Sequence, residues 1–220
     1  MTAACVAGAR AQTPAPQAGS GPAGAAPVIN MGYGGLMAGS GSVAKSSRVI
    51  GGEAGARVWR NLDLFLEGGS MGDVVPERQL ALSAPLTAFL QQTQGKAATA
   101  TVKMPASYFA FGARWVFENI NLAGWARPYA QFAVGGGKME RQPTFTLAGQ
   151  DVTSSLASYG VVLGADMTAE EKGTVVSGGA GVLVPYRMVY GDVGFRITSL
   201  GTSGDAIRVN RFHIGVGVRF

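Results

Sequence analysis

The last stretch of the chain, residues 207–220, alternates between apolar positions and positions that are polar or glycine. Side chains of a β-strand point alternately to its two faces, so this pattern predicts a strand with one wholly apolar face. Glycine on the other face is typical of a strand that borders a crowded interior. The apolar face consists of Phe212, Ile214, Val216, Val218 and Phe220. The opposite face consists of Arg211, His213, Gly215, Gly217 and Arg219.

Seven earlier stretches show the same alternation, so the chain is predicted to form eight strands. Each is roughly nine to fourteen residues long, which suffices to cross a membrane when the strand is tilted. In the third stretch, for example, three leucines alternate with Asp63, Phe65 and Glu67. The first stretch sets Asn30, Gly32 and Gly34 opposite Ile29, Met31 and Tyr33. The predicted strands cover 28–38, 47–59, 62–71, 105–117, 127–138, 174–184, 188–199 and 207–220.

The connections between these strands alternate in length. Short turns are predicted at 60–61, 118–124 and 185–187, and longer connections at 39–46, 72–104, 139–173 and 200–205. Outer-membrane barrels have short periplasmic turns and longer extracellular loops. The pattern therefore predicts an all-β fold, an eight-stranded antiparallel up-and-down transmembrane β-barrel with two long extracellular loops. An even number of strands places both termini in the periplasm. A soluble β-sandwich is the alternative architecture.

Aromatic residues cluster near the short turns, where an interfacial girdle is expected. Trp115, Trp125 and Tyr186 fit this position. Trp59 also lies near a short turn, but the alternation of its predicted strand turns it inward.

The composition agrees with a membrane barrel rather than with membrane helices. The chain has 34 glycines among 220 residues and only 14% charged residues, yet its mean hydropathy is a mild +0.19. It lacks a continuous apolar run of about 18 residues, the length that would indicate a transmembrane helix. The net charge is +5, and the Lys and Arg residues are scattered. A nucleic-acid partner is therefore not expected.

The N-terminal part does not fit the strand pattern. Residues 1–11 end in Ala9-Arg10-Ala11, which resembles a signal-peptidase site, and are interpreted as a truncated signal-peptide remnant. Residues 12–27 are rich in Pro, Ala and Gly and are predicted to be a flexible lead-in. The barrel domain is predicted to cover 28–220. Cys5 is the only cysteine, so no disulfide can form within the chain.

One segment of a long loop has helical spacing. Leu82, Leu86, Phe89 and Leu90 recur at helical intervals, although Pro85 would kink or divide a helix there. The segment is either a short amphipathic helix that caps the barrel mouth or touches the membrane, or an irregular loop segment packed on its neighbours. The second interpretation is favoured.

With these features, the chain resembles the small bacterial outer-membrane β-barrel family, the opacity-like and OmpA/OmpX-type eight-stranded barrels. The resemblance covers about 28–220. It rests on Arg127-Pro128-Tyr129, on Gly135-Gly136-Gly137 and on the final Val209-Asn210-Arg211-Phe212-x-x-Gly215-x-Gly217-x-Arg219-Phe220. It implies that the apolar face of the last strand, ending in Phe220, is the signal that the outer-membrane barrel assembly machinery recognises. Members of the family are structural, adhesive or channel-like, so membership does not define an activity.

The alternation also predicts which charged residues face the lumen. The acids are Glu53, Asp63, Glu67 and Asp192, and the bases are Arg57, Arg114, Arg196 and Arg219. Charges inside a membrane are costly unless they are paired, so four acids and four bases suggest mutual neutralisation. This set is either an ion-paired plug in a narrow barrel or a polar path for solutes or protons. The plug is favoured because eight strands enclose only enough space for side chains.

Residues for catalysis or metal binding are scarce. His213 is the only histidine, and it is expected to be a hydrogen-bonded lumenal side chain. A long loop contains four acidic residues, Asp151, Asp166, Glu170 and Glu171. They either bind a cation or form a solvated face of the loop, and the second interpretation is favoured. Neither an enzyme, nor a cofactor, nor a metal site is predicted.

The function predicted from the sequence is therefore that of a non-enzymatic outer-membrane barrel. It would contact outer-membrane lipid, act as a monomer, and serve a structural role or a surface interaction with an unknown ligand through its extracellular loops. The alternative is a channel for small solutes or hydrophobic compounds.

Overall fold

A computed structural model of the protein describes residues 31–43, 46–120, 122–201 and 206–220. The predicted signal-peptide remnant and lead-in, with Ile29 and Asn30, lie outside these ranges. The strands are β1 Gly32–Ser42, β2 Ser46–Arg57, β3 Leu62–Met71, β4 Ala98–Lys103, β5 Ala106–Val116, β6 Arg127–Glu140, β7 Gln142–Leu147, β8 Gln150–Asp151, β9 Glu170–Tyr186, β10 Val189–Gly201 and β11 Ala206–Arg219. The helices are α1 Glu77–Gln94, α2 Ala165–Thr168 and a 3₁₀ helix at Thr153–Tyr159.

Eight of the strands form a closed antiparallel barrel in the order β1-β11-β10-β9-β6-β5-β3-β2. The barrel closes where the first strand pairs with the last, from Tyr33 opposite Arg219 to Ser42 opposite Asn210. This confirms the predicted eight-stranded up-and-down barrel. Closure leaves no unpaired strand edge, which a barrel in a membrane requires because lipid offers no hydrogen bonds.

Apolar and polar residues separate across the barrel wall as the alternation predicted. On β5, Phe109 and Phe111 point outward and are exposed, whereas Tyr108 before them and Arg114 after them are buried in the lumen. From Phe212 to Val218, every outward residue of β11 is apolar and exposed. Such a continuous apolar outer surface matches contact with lipid rather than with water.

The ends of several strands differ from the prediction. β1 begins at Gly32, so Met31 lies before the strand, and Tyr33 faces the lumen. β2 ends at Arg57, so Trp59 lies in the following turn and is exposed, and the alternation of the strand does not reach it. The connection between β1 and β2 is confined to 43–45 and is shorter than the predicted loop.

The two long loops fold together into one structure, which we call the cap. Strand β4 from the first loop pairs with β7 from the second, and β7 pairs with β8. Helix α1 packs against this sheet, and the cap encloses its own apolar core. The fully buried members of that core are Leu90 and Phe145.

The favoured prediction of an irregular segment at 76–94 was wrong, because helix α1 runs through Pro85. The hydroxyl groups of Ser83 and Thr87 donate to the carbonyls of Leu80 and Ser83, which provides hydrogen bonds beside the proline. The helix ends at Gly95, whose left-handed backbone lets its N–H donate to the Gln91 carbonyl.

Among the described residues, none of the helices combines the length and the apolar character needed to cross a membrane.

Candidate functional site

The centre of the lumen contains a chain of five alternating charges, which we call the ion chain. Its members are Arg114 on β5, Glu53 on β2, Arg196 on β10, Glu67 on β3 and Arg211 on β11. Each points inward because it occupies the lumenal parity of its strand. All five side chains are buried.

Short contacts link each member of the ion chain to the next. Arg114 Nη2 lies 2.6 Å from Glu53 Oε1, and Arg196 Nη2 lies 3.3 Å from Glu53 Oε2. Arg196 Nη1 also donates to Glu67 Oε2, and Arg211 Nη2 lies 3.1 Å from Glu67 Oε1. Each glutamate is thus shared by two arginines, so neither carboxylate is left without a counter-charge.

Neutral side chains add hydrogen bonds to the ion chain, while Nε of Arg196 and Nε of Arg211 have no partner among the described residues. The Tyr108 hydroxyl donates to Glu67 at 2.7 Å and accepts from Arg211. Arg114 donates to the side-chain oxygen of Gln131 at 3.0 and 3.2 Å, and its guanidinium lies 4.6 Å from the centre of the Tyr129 ring. These contacts hold the charges in one arrangement, as buried ion pairs require.

Asp192 belongs to a separate small cluster in the lumen. The Tyr129 hydroxyl donates to Asp192 Oδ1 at 2.8 Å, and His213 Nε2 lies 3.3 Å from Asp192 Oδ2. His213 Nδ1 has no hydrogen-bond partner among the described residues. His213 Nε2 therefore faces the Asp192 carboxylate and the phenolic hydroxyl of Tyr129.

The lumen is closed at its long-loop end by apolar side chains, which we call the apolar plug. Strand residues such as Met71 and Leu200 meet Val74 and Met104 from the first long loop, and all four are almost completely buried. Two small cavities beside the ion chain hold only about 10 Å³ each, which is about the space of one water molecule. Side chains therefore fill the lumen at two successive levels.

The remaining predicted lumenal residues lie at the short-turn end. Arg57 bonds Asp63 at 2.8 Å and Glu118 at 2.9 Å. Arg219 lies over the Tyr190 ring, with its guanidinium carbon 5.3 Å from the ring centre. The structure therefore joins predicted acids and bases in four ion pairs, Arg114 and Arg196 with Glu53, Arg196 with Glu67 and Arg57 with Asp63. Arg219 has no ion pair among the described residues.

Two arginines of the site were not predicted. Arg211 was placed on the polar face of the last strand but was not included among the lumenal charges. Arg127 was likewise omitted, although the parity of its strand directs it inward. Strand parity was thus a sufficient signal for both arginines, and applying it to every charged residue would have found them.

The acidic loop residues are paired or exposed rather than grouped around a common point. Glu171 bonds Arg141 at 2.6 Å, and Glu170 lies 3.7 Å from Lys172. Hydrogen bonds from Thr153 lower the pKa of the exposed Asp151 carboxyl. The side chain of Asp166 lies outside the described part of the chain. Within the described residues, no three His, Cys, Asp or Glu side chains are grouped as metal ligands would be.

Comparison with known proteins identifies the fold. No family model and no curated protein sequence match the chain. Among solved structures, the Neisserial surface protein A matches with a TM-score of 0.51 and 13% identity, covering 86% of this chain and 96% of that one. The N-terminal barrel domain of Pseudomonas aeruginosa OprF matches at 0.47 and 14%, covering 86% and 97%. The outer-membrane enzyme PagL matches at 0.41 and 10%, covering 84% and 98%.

At these identities the comparison shows the fold alone, that of a small eight-stranded outer-membrane barrel. The match to Neisserial surface protein A and the apolar outer surface agree on this point. Both support an outer-membrane location and contact with membrane lipid.

Proposed function

We propose that this chain, which has the fold of a small outer-membrane barrel, is a non-enzymatic protein with a closed lumen and a structural or surface-interaction role. The ion chain is the observation that carries the proposal, because it joins opposite walls of the barrel. Counting around the barrel, β3 and β10 lie four strands apart in either direction, and Arg196 bridges them. A solute would have to break these bonds to pass.

A second barrier makes passage still less favourable. Above the ion chain, toward the long loops, the apolar plug presents mainly apolar side chains to a hydrated solute. Moving an ion or a hydrated molecule through such a layer costs its solvation. The closed lumen thus supports the surface role over the alternative of a channel for small solutes or hydrophobic compounds.

The cap supplies the surface on which such a role would depend. It is a folded unit with a core of its own, so it presents a defined shape rather than two independent loops. Binding residues are often carried on loops that a rigid scaffold positions. Leu82, Phe89 and Val162 are exposed on the cap and are available to a partner.

A non-enzymatic role is supported by the surroundings of His213. Catalysis by a serine or threonine needs a hydroxyl within hydrogen-bond reach of a base. The hydrogen-bond partners of His213 are Asp192 and the phenolic hydroxyl of Tyr129. The fold alone does not exclude an enzyme, because one fold can host unrelated functions.

The proposal also includes the orientation and partners of the barrel. Both termini would lie in the periplasm, with the cap at the cell surface, since outer-membrane barrels have their short turns in the periplasm. The exposed apolar face of β11 would be recognised by the barrel assembly machinery before it meets lipid. The barrel, closed without a free edge, would act as a monomer.

Two measurements on the refolded full-length protein test this proposal. On SDS gels, a closed barrel is expected to migrate differently before and after boiling. In planar lipid bilayers, we expect no reproducible unitary currents. Folding without detergent and without a heat-dependent shift would contradict the membrane barrel. Reproducible unitary currents from a protein that shows the heat-dependent shift would contradict the closed lumen and support the channel.

A further inference from the structure

A cavity of about 250 Å³ lies at the short-turn end of the lumen, below the ion chain. We call it the vestibule. Arg114 of the ion chain lies at its inner side, and strand-end residues such as Gly32 and Arg219 lie at its outer side. Side chains fill the lumen beyond it, so the vestibule is a blind recess and not part of a path. Its lining is completed by Met31, Tyr33, Arg57, Asp63, Arg127, Leu183 and Tyr190.

The vestibule has more positive than negative charge. Arg57 is bound by Asp63 and Glu118, but Arg127 and Arg219 form no ion pair with any described residue. Arg57 and Arg127 repel Arg219, and Asp63 attracts it. Like charges held together in a partly buried recess are unfavourable unless an anion joins them.

The sequence before the barrel does not supply such an anion. Residues 1–30 contain no Asp or Glu, and their only charged side chain is Arg10. Residues 1–30 therefore offer no acidic side chain as a counter-charge to the recess.

Tyr33 lines the same recess, and its hydroxyl is unpaired and covered by protein atoms. Tyr33 is only 7% exposed, and its hydroxyl has no hydrogen-bond partner among the described residues. Buried polar groups in native proteins are nearly always hydrogen-bonded, so an exception needs an explanation. A ligand in the vestibule would provide the missing partner once the Tyr33 ring turns toward it.

We infer that the vestibule is a binding site for a small phosphate- or carboxylate-bearing anion, held by Arg127 and Arg219 with a hydrogen bond from Tyr33. Guanidinium groups bind both anions through paired N–H donors. The volume is slightly below the range of roughly 300–1,000 Å³ typical of sites for drug-sized molecules, which indicates a small solute or a single headgroup. The aromatic rings of Tyr33 and Tyr190 would contact the uncharged part of the ligand.

The site can be observed through the arginines themselves. The full chain is refolded into phosphatidylcholine nanodiscs with ¹⁵N-labelled arginine, and the Nε–Hε signals of Arg127 and Arg219 are followed while inorganic phosphate is added. Both signals are expected to shift and to saturate. A second sample in nanodiscs that contain phosphatidylglycerol, without phosphate, tests whether a lipid headgroup is the source of the anion. Shifts in either sample support the site and identify its source. Unshifted signals in both samples overturn it.

Single substitutions then test which residues bind the anion. Arg127→Gln leaves the Arg219 signal as a reporter, and Arg219→Gln leaves that of Arg127. In each variant the half-saturating phosphate concentration should rise by about tenfold, because a charge-assisted hydrogen bond contributes roughly 1.5–3 kcal/mol. Arg60→Gln, which changes an exposed arginine of the nearby turn outside the recess, should leave it unchanged. An unchanged midpoint in both vestibule variants would overturn the site.

Tyr33→Phe provides a test that does not alter the charge. Because the hydroxyl forms no hydrogen bond with the described protein, its removal breaks no internal bond, and the variant should fold. Its half-saturating phosphate concentration, followed through the same arginine signals, should rise severalfold. If the arginine variants do not fold, as judged by the absence of heat-dependent migration, Tyr33→Phe is the deciding test. An unchanged half-saturating phosphate concentration in Tyr33→Phe then overturns the proposal.

Discussion

Arg196 on β10 donates to Glu67 on β3, the strand opposite it across the barrel. The two residues are 129 positions apart in sequence, so their bond forms only when the lumen is enclosed. Arg211 and Tyr108 bind the same carboxylate from a third and a fourth strand. Glu67 is therefore the point at which four strands are tied together through the interior.

Replacing Glu67 should strongly destabilise the barrel. Glu67→Ala leaves the buried guanidiniums of Arg196 and Arg211 short of a counter-charge, which should lower the free energy of unfolding by about 3–5 kcal/mol. Urea unfolding of the refolded protein in lipid vesicles measures the change. As a control, Glu170→Ala removes an exposed ion pair with Lys172 and should cost under about 1 kcal/mol. Equal losses in the two variants would contradict the role assigned to Glu67.

Replacing Arg114 should weaken the barrel without opening it. Arg114→Ala leaves Glu53 with Arg196 alone, and a loss of about 3–5 kcal/mol is expected. The bonds of Glu67 and the apolar plug remain, so planar bilayer recordings should still show no unitary currents. A conductance that appears only in this variant would show that Arg114 alone blocks the lumen.

Glycine is required where Tyr129 crosses the lumen. A methyl group on Gly181 would lie 2.5 Å from the Tyr129 hydroxyl oxygen and 2.6 Å from the Val193 carbonyl oxygen. Gly181→Ala should therefore cost about 1–3 kcal/mol, measured by the same unfolding assay. Gly178→Ala is the matched control on the same strand, since nothing lies within 4 Å of its added methyl. The prediction fails if both substitutions are tolerated equally.

The cap should unfold separately from the barrel. Phe145 is completely buried in the cap core, and Phe145→Ala should remove about 3–5 kcal/mol from the cap. Limited proteolysis should then cut within 72–105 and 141–169, while migration on SDS gels stays heat-dependent. Phe89→Ala, which changes an exposed aromatic residue of α1, should leave protease resistance as it was. Loss of heat-dependent migration in Phe145→Ala would show that cap and barrel fold as one unit.

The barrel wall was predictable from sequence because period-two alternation is a local signal. Strand β3 was placed at the residues where it occurs, and its inward Asp63, Phe65 and Glu67 followed from parity. Partner choice inside the lumen is not local. Arg211 was a polar residue on a predicted strand, but its contact with Glu67, 144 positions away, depends on how their two strands face each other across the lumen.

The cap was not predictable from the same signal. Strand β4 has only 6 residues, and its pairing with β7 joins two loops that were interpreted separately. Helix α1 was discounted because of Pro85, yet tertiary packing of Leu90 against the cap core and the hydroxyl groups beside the proline sustain it. Packing across long sequence separations decided both outcomes, and neither propensity nor periodicity contains that information.

The pairing of β4 with β7 also determines how the surface of this protein would be recognised by an antibody. Thr99 from one loop and Thr146 from the other share a hydrogen bond of 2.6 Å on the exposed side of the sheet. An epitope at this position is built from two segments of the chain and exists only while both are folded. A linear peptide copied from either loop would lack half of that epitope. Antibodies raised against such peptides would recognise the denatured chain, and the native surface would require the intact barrel as immunogen.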